Sequence, residues 1–311
     1  MAIKGWSDSD RIPRLGKIAL GVKDERGIPK AVDYFVVPPE VKEVYGAEPK
    51  ELDILIPNEN LDSFFPAHLK RYGEQYGLIC RGDGQAATIP AEYAQRFGQE
   101  YGILFQKDKF IHKETGQILE TNIGRTGRLW IKYPCLYKDC TFYKNKKSTE
   151  VAILNVILPK VPGILGVYRL DTGSFNSYTN IRNSLKILNG IFGKVSFIPL
   201  KLKVRMQQMN PLVNGKRIKT IVPVLYIDMG DLNFEQVMQM ARSKRLPTID
   251  ILPEPEEIDE NEKPDLLYPV DNYTEENVEE MTIEEDEEGI GVFKVLTIPQ
   301  VKPTTKGVFA V

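Results

Sequence analysis

The chain has 311 residues, 42% of them hydrophobic and 27% charged, which supplies one generous core or two smaller ones. No apolar run approaches the roughly 20 residues of a membrane span, and the first six residues lack a secretory apolar stretch. With only three cysteines, a disulfide-stapled scaffold is excluded and a cytoplasmic location is expected. The net charge of −2 conceals an asymmetry. Residues 251–290 hold 17 acidic residues against one lysine, whereas residues 1–250 hold 37 basic against 26 acidic. Within that body, residues 101–220 carry 21 basic and 6 acidic residues. Such a body suits nucleic acid or an acidic partner, and the acidic run is expected to compete for the same surface, although solvated charge for solubility explains such runs equally well.

Residues 1–60 read as strands joined by turns, with short β-rich runs at 17–23, 32–37 and 53–57. Phe65, Leu69 and Tyr72 recur at helical spacing before Gly73, which predicts a helix over 64–72. A second short helix is expected over 90–97, with Pro90 in its first turn and Gly98 beyond its end. The run 151–158 (VAILNVIL) is nearly continuous in apolar residues and should be a central strand, followed by another at 166–171. A helix over about 179–188 follows, with Ile181, Leu185 and Leu188 on one face and Gly190 at its end. Leu200, Leu202, Val204 and Met206 alternate with Lys201, Lys203 and Arg205, the pattern of a strand with a basic outer face. Asn214-Gly215 predicts a hairpin turn, because both central positions of that turn require positive φ. The strand at 218–228 returns, and Asn233 with Gln236 forms a capping box for a last helix bearing Phe234, Val237, Met238 and Ala241 on its apolar face. Residues 291–298 could add a terminal strand.

The fold class is therefore α+β, with mixed or antiparallel sheets, a few short helices and an acidic, partly extended C-terminal tail. Three regions follow from the pattern: 1–150 with a cysteine cluster, 151–249 as strand, helix, hairpin and helix, and the tail 250–311.

Catalytic signatures are missing in one direction only. There is no phosphate-binding loop, dinucleotide fingerprint, zinc-protease helix or nucleophile elbow, and only His68 and His112 could serve as imidazoles. The expectation is a protein that is not an enzyme. Cys135 and Cys140 have a spacing used by zinc knuckles, with Cys80 and His112 as third and fourth candidate ligands. The same thiols also read as ordinary small hydrophobes in a core, with no cofactor at all. Trp130, Tyr133, Tyr137, Phe142 and Tyr143 interleave with lysines, as in a surface for single-stranded nucleic acid, although core packing accounts for such a stripe more often.

Five strings taken together carry a resemblance: 17–37 (KIALGVKDERGIPKAVDYFVV), 49–57 (PKELDILIP), 64–84 (FFPAHLKRYGEQYGLICRGDG), 154–172 ending in GVYRLDT, and 187–204 with GKVSFIPLKLKV. In number and order they resemble the phage-type recombination directionality factors of large serine integrases, the actinophage-like family, over roughly residues 10–245. The resemblance implies a factor that binds the integrase on its attachment sites and switches it from integration to excision, without chemistry of its own. It also implies recurring cysteines at 80, near 135 and shortly before residue 151. The segment 145–150 lacks that last cysteine, which weighs against a bound zinc here. The alternative is a single-stranded DNA-binding or annealing accessory of phage replication. Partner-binding candidates are Lys201, Lys203, Arg205, Lys216, Arg217 and Lys219 on the hairpin, and Leu266, Leu267 and Tyr268 as apolar islands in the tail. Direct nucleic-acid contact is a further expectation, and membrane contact is not expected.

Overall fold

The structure, a computed structural model, describes residues 12–242 except 24–28, 74, 125–126, 146, 164, 210–211, 214–215 and 218–219, together with 283–285 and 291–293. In chain order the first elements are β1 (Arg14–Lys23), β2 (Pro29–Val36), α1 (Pro39–Tyr45), β3 (Glu51–Ile54), α2 (Leu61–Phe64), β4 (Ala67–Gly73), β5 (Gly77–Gly82) and β6 (Ala86–Pro90). Then come α3 (Ala91–Phe97), β7 (Ile103–Gln106), β8 (Lys109–His112), β9 (Thr121–Ile123), β10 (Leu129–Pro134), α4 (Thr141–Lys144), β11 (Thr149–Val156) and β12 (Val167–Thr172). The chain continues through α5 (Phe175–Phe192), β13 (Leu200–Met209), β14 (Leu212–Val213), β15 (Lys216–Arg217), β16 (Thr220–Asp228) and α6 (Phe234–Arg242), with β17 (Ile283–Glu285) and β18 (Gly291–Phe293) in the tail.

Nine strands form one sheet in the order β2-β1-β12-β11-β4-β5-β6-β10-β9, antiparallel at every join except the parallel pair β1 and β12. A second sheet runs β16-β13-β3. The fold is thus α+β with a large mixed sheet, as the sequence led one to expect. The described residues fall in two compact units, one within 1–207 and 222–271, the other within 208–221 and 272–311. In the second unit, β14 pairs with β15 and β17 with β18, both antiparallel.

Strand alternation decides which side chains meet. On one face of the large sheet, Ile18 and Leu20, Leu154 and Val156, and Tyr168 and Leu170 stand at every second position. They pack with Leu52 and Ile54 of β3, Leu200, Leu202 and Val204 of β13, and Ile181, Leu185 and Leu188 of α5. Each such side chain contributes about 1.5–3 kcal/mol on burial, so this aliphatic core is the main source of stability. The alternating positions of β12 carry Arg169 and Asp171, both 2% exposed and joined by two bonds, Nε to Oδ1 at 2.5 Å and Nη2 to Oδ2 at 2.8 Å. A second, aromatic core gathers Ile79, Ile89, Ala94, Ile103, Phe110, Ile131, Tyr93 and Tyr133 under β5, β6, β10 and α3.

The helix expected over 64–72 is not there. Pro66 disfavours the helical conformation at Phe65, and the chain enters β4, where residues 67–70 pair with β11 and 69–73 with β5. Two neighbouring strands outweigh three apolar residues at helical spacing. In contrast, α5 is longer than expected: Ser174 caps it by accepting the Ser177 amide at 3.1 Å, and it runs through Gly190 to end at Gly193, which adopts φ 71. The capping box of α6 forms in both directions, with Asn233 and Gln236 exchanging bonds of 2.9 Å. Phe234, expected on the apolar face of α6, is instead 69% exposed, while Val237 is buried.

Candidate functional site

The three cysteines come from separate segments and gather at one edge of the aromatic core. Cys80 lies on β5, opposite Arg71 of β4, and its Sγ is 3.0 Å from the Tyr133 hydroxyl. Cys135 follows β10 and presses on Gly82, where a Cβ would stand 2.6 Å from its Sγ. Cys140 caps α4, whose Phe142 ring lies 3.8 Å from the Arg71 guanidinium. Arg71 also donates to the Tyr101 hydroxyl, and the Tyr101 ring stacks on Phe142 at 4.6 Å. Burial pushes the Cys80 thiol up to about 12, against the opposing hydrogen bond with Tyr133. His112, the fourth candidate, sits in the β7–β8 hairpin and accepts the Thr115 amide at Nδ1. Among the described residues, no group of three or more His, Cys, Asp or Glu side chains is arranged to hold a metal ion. The cation beside Cys80 is Arg71, which also lies over the Phe142 ring.

The interleaved aromatics divide in the same way. Trp130, Tyr133 and Phe142 are buried, and Tyr137 and Tyr143 both spend their hydroxyls on Glu150 Oε1, at 2.5 and 3.2 Å. These rings serve packing, and three of the five are withdrawn from any stacking platform for bases.

The two lysines on the basic face of β13 are paired with acids of neighbouring strands. The register sets Lys201 opposite Asp53 and Lys203 opposite Glu51. Lys201 Nζ is 2.5 Å from Glu51 and 3.7 Å from Asp53, and Lys203 Nζ is 2.9 Å from Asp228. Arg205 lies 5.6 Å from the Tyr226 ring centre. Cross-strand pairs of this kind fix register more than they attract a partner. Lys216 and Arg217 belong to β15, while Lys219, Leu266, Leu267 and Tyr268 lie outside the described residues.

A cleft of about 260 Å³ opens where β4, the β5–β6 turn, residue 137, the start of β11 and the start of α5 come together. Its walls include His68, Asp83, Tyr137, Glu150, Phe175 and Tyr178, and among the described residues no lysine or arginine lines it, although Arg81 and Lys70 act on His68 from nearby. Asp83 Oδ1 accepts the Gln85 and Ala86 amides, both at 2.7 Å. Burial pushes the Asp83 carboxyl up, but those amides and His68 outweigh it and hold the group below the ordinary range. His68 is driven the other way: burial first, then Arg81 and Lys70, lower it to about 4, so the imidazole is uncharged at neutral pH. Its Nδ1 is buried with no hydrogen-bond partner among the described residues. Tyr137 adopts φ 43, a left-handed conformation that costs a non-glycine residue energy. Phe175 stands 67% exposed at the start of α5. The sequence offered no signal for this cleft as a unit, since its walls come from five separated segments. Six of its residues do lie in the 64–84 string quoted above.

A family model described as Gp3-like, recombination directionality factor-like, matches residues 15–230, which takes in both sheets and α5. No curated protein and no solved structure matches the chain. No helix among the described residues is long and apolar enough to cross a membrane.

Proposed function

Because the chain belongs to the Gp3-like, recombination directionality factor-like family, we propose that it binds a large serine integrase and switches it from integration to excision. The observation that carries this is the span of the family match, which covers the folded body and stops short of the acidic tail. Such a factor belongs to a bacteriophage or a related mobile element and works in the cytoplasm of the bacterial host. It is not an enzyme: it acts by contact with integrase already on its attachment sites. In free-energy terms it need only bind one arrangement of the integrase better than the other. Reversing a 99:1 preference requires about 5.5 kcal/mol of such difference, within reach of an ordinary protein interface.

Co-purification tests the contact. Tagged protein should retain purified cognate integrase on resin in the absence of DNA, and more strongly when the integrase holds an attachment site. Absence of retention in both conditions would remove the proposal.

A further inference from the structure

We infer that Arg205 of β13, with Gln207 beside it, is the contact for a carboxylate side chain on the protein partner. The partner's identity rests on the proposed function, whereas the contact is read from β13 and its neighbours. Lys201, Lys203 and Arg205 share one face of that strand, at every second position. The first two are matched by acids, Lys201 by Glu51 and Lys203 by Asp228. Close by, Lys160 pairs with Asp53 and Lys50 with Asp33. Arg205 meets no acid among the described residues; what it meets is the Tyr226 ring, 5.6 Å away. The cause is where β3 begins. Its register with β13 runs from Leu200 to Lys203, and the bond from the Val204 amide to the Lys50 carbonyl, at 3.1 Å, lies one residue further. Beyond it β13 has only β16 for a neighbour in its sheet. Arg205, Met206 and Gln207 are all exposed, so both faces of the strand are open there.

The patch is rich in donors. Gln207 Oε1 accepts the Tyr226 hydroxyl at 2.8 Å, which holds the side-chain amide and leaves its NH2 group to donate. The guanidinium adds a planar fork, steadied by the same ring. A guanidinium and an amide flanking one tyrosine match the two oxygens of a carboxylate. A nucleic-acid backbone asks for something else, a row of free cations that each neutralise a phosphate. Here the neighbouring lysines are already paired, and Glu51, half exposed, would repel a phosphate chain. One uncompensated cation suits one carboxylate. Arginine is also among the side chains that most often dominate protein interfaces.

The test pairs two measurements on the full chain, with Arg205→Ala and Arg205→Lys as variants. First, integrase retention is measured. Arg205→Ala should lose roughly tenfold or more with its melting temperature unchanged, and Arg205→Lys should recover only part, since an ammonium lacks the fork. Second, isotope-labelled protein is titrated with a short glutamate-rich peptide, with its glutamine counterpart and with short duplex DNA. Saturable shifts of the Arg205 guanidinium and the Gln207 side-chain amide are expected with the glutamate peptide only, and those at Gln207 should vanish in Arg205→Ala. Equal retention by Arg205→Ala and the wild type overturns the contact while leaving the directionality reading intact. If the wild type retains no integrase, that reading fails and the titration alone decides. No shifts, equal shifts from the glutamine peptide, or shifts from DNA in place of the glutamate peptide overturn the carboxylate contact. If Arg205→Ala melts lower, Arg205→Gln, which keeps a planar head near Tyr226 without the charge, takes its place.

Discussion

The nine-stranded sheet serves two cores of opposite character. Under β1, β11 and β12 the packing is aliphatic and layered, sheet against α5 and the β3–β13–β16 sheet. Under β5, β6 and β10 it is aromatic and threaded by a cation, with Tyr76, Tyr93, Tyr101, Tyr133 and Phe142 in edge or stacked contact and Arg71 among them. The two halves therefore resist damage differently. The first tolerates exchange of similar aliphatic side chains, because volume and pattern carry it. The second depends on a few directional contacts that no neighbour can replace.

The largest effect is expected at the buried pair on the sheet's other face. Arg169→Ala leaves Asp171 as a buried charge without its bidentate partner, and about 3–5 kcal/mol of stability should be lost by urea unfolding. A loss below about 1 kcal/mol would mean that water reaches the site. His68, where β4 joins β11, should give the next largest effect. Its pKa is lowered on folding, so the unfolded chain binds the extra proton between pH 6.5 and about 4. Stability is therefore complete above that window and falls as pH drops through it, by on the order of 3 kcal/mol. His68→Leu should flatten this part of the pH profile, and an unchanged profile would assign the acid sensitivity elsewhere.

The aromatic core is sharpened by Arg71→Ala, which removes the guanidinium from Phe142 and leaves the Tyr101 hydroxyl without its donor. About 2 kcal/mol should be lost, and Arg71→Lys should recover only part of it because an ammonium lacks the planar face. Full recovery by lysine would show that charge alone matters. The smallest effect belongs to the β13 ladder. Lys201→Met breaks an ion pair whose partner Glu51 is half exposed, and thermal melting should register a change of about 1 kcal/mol or less.

Period-2 and period-3.6 patterns made the aliphatic half readable. Leu200, Leu202 and Val204 of β13, the apolar run of β11 and the Ile181, Leu185 and Leu188 stripe of α5 landed where their spacing put them, while Met206, next in the β13 alternation, is exposed. The error at 64–72 came from the same rule, since Phe65, Leu69 and Tyr72 satisfy a helical spacing while β4 is held by strands far away in sequence. The aromatic half was illegible for a related reason. Its contacts join residues such as Cys80 and Tyr133, or Arg71 and Phe142, which no local pattern connects. The lysine ladder was visible on β13, but the acids that neutralise it lie on β3, about 150 residues earlier, and at the end of β16. The cleft combines both difficulties, being built from side chains of five segments at the seam of the two cores.

The most direct measurement is the product ratio of a purified recombination reaction. Cognate integrase is given paired insertion sites or paired hybrid sites, with and without this protein. Excision from the hybrid sites should rise and insertion should fall as the protein is added, in proportion to its occupancy of the integrase. Unchanged ratios for both substrates at saturating protein would contradict its role as a directionality factor.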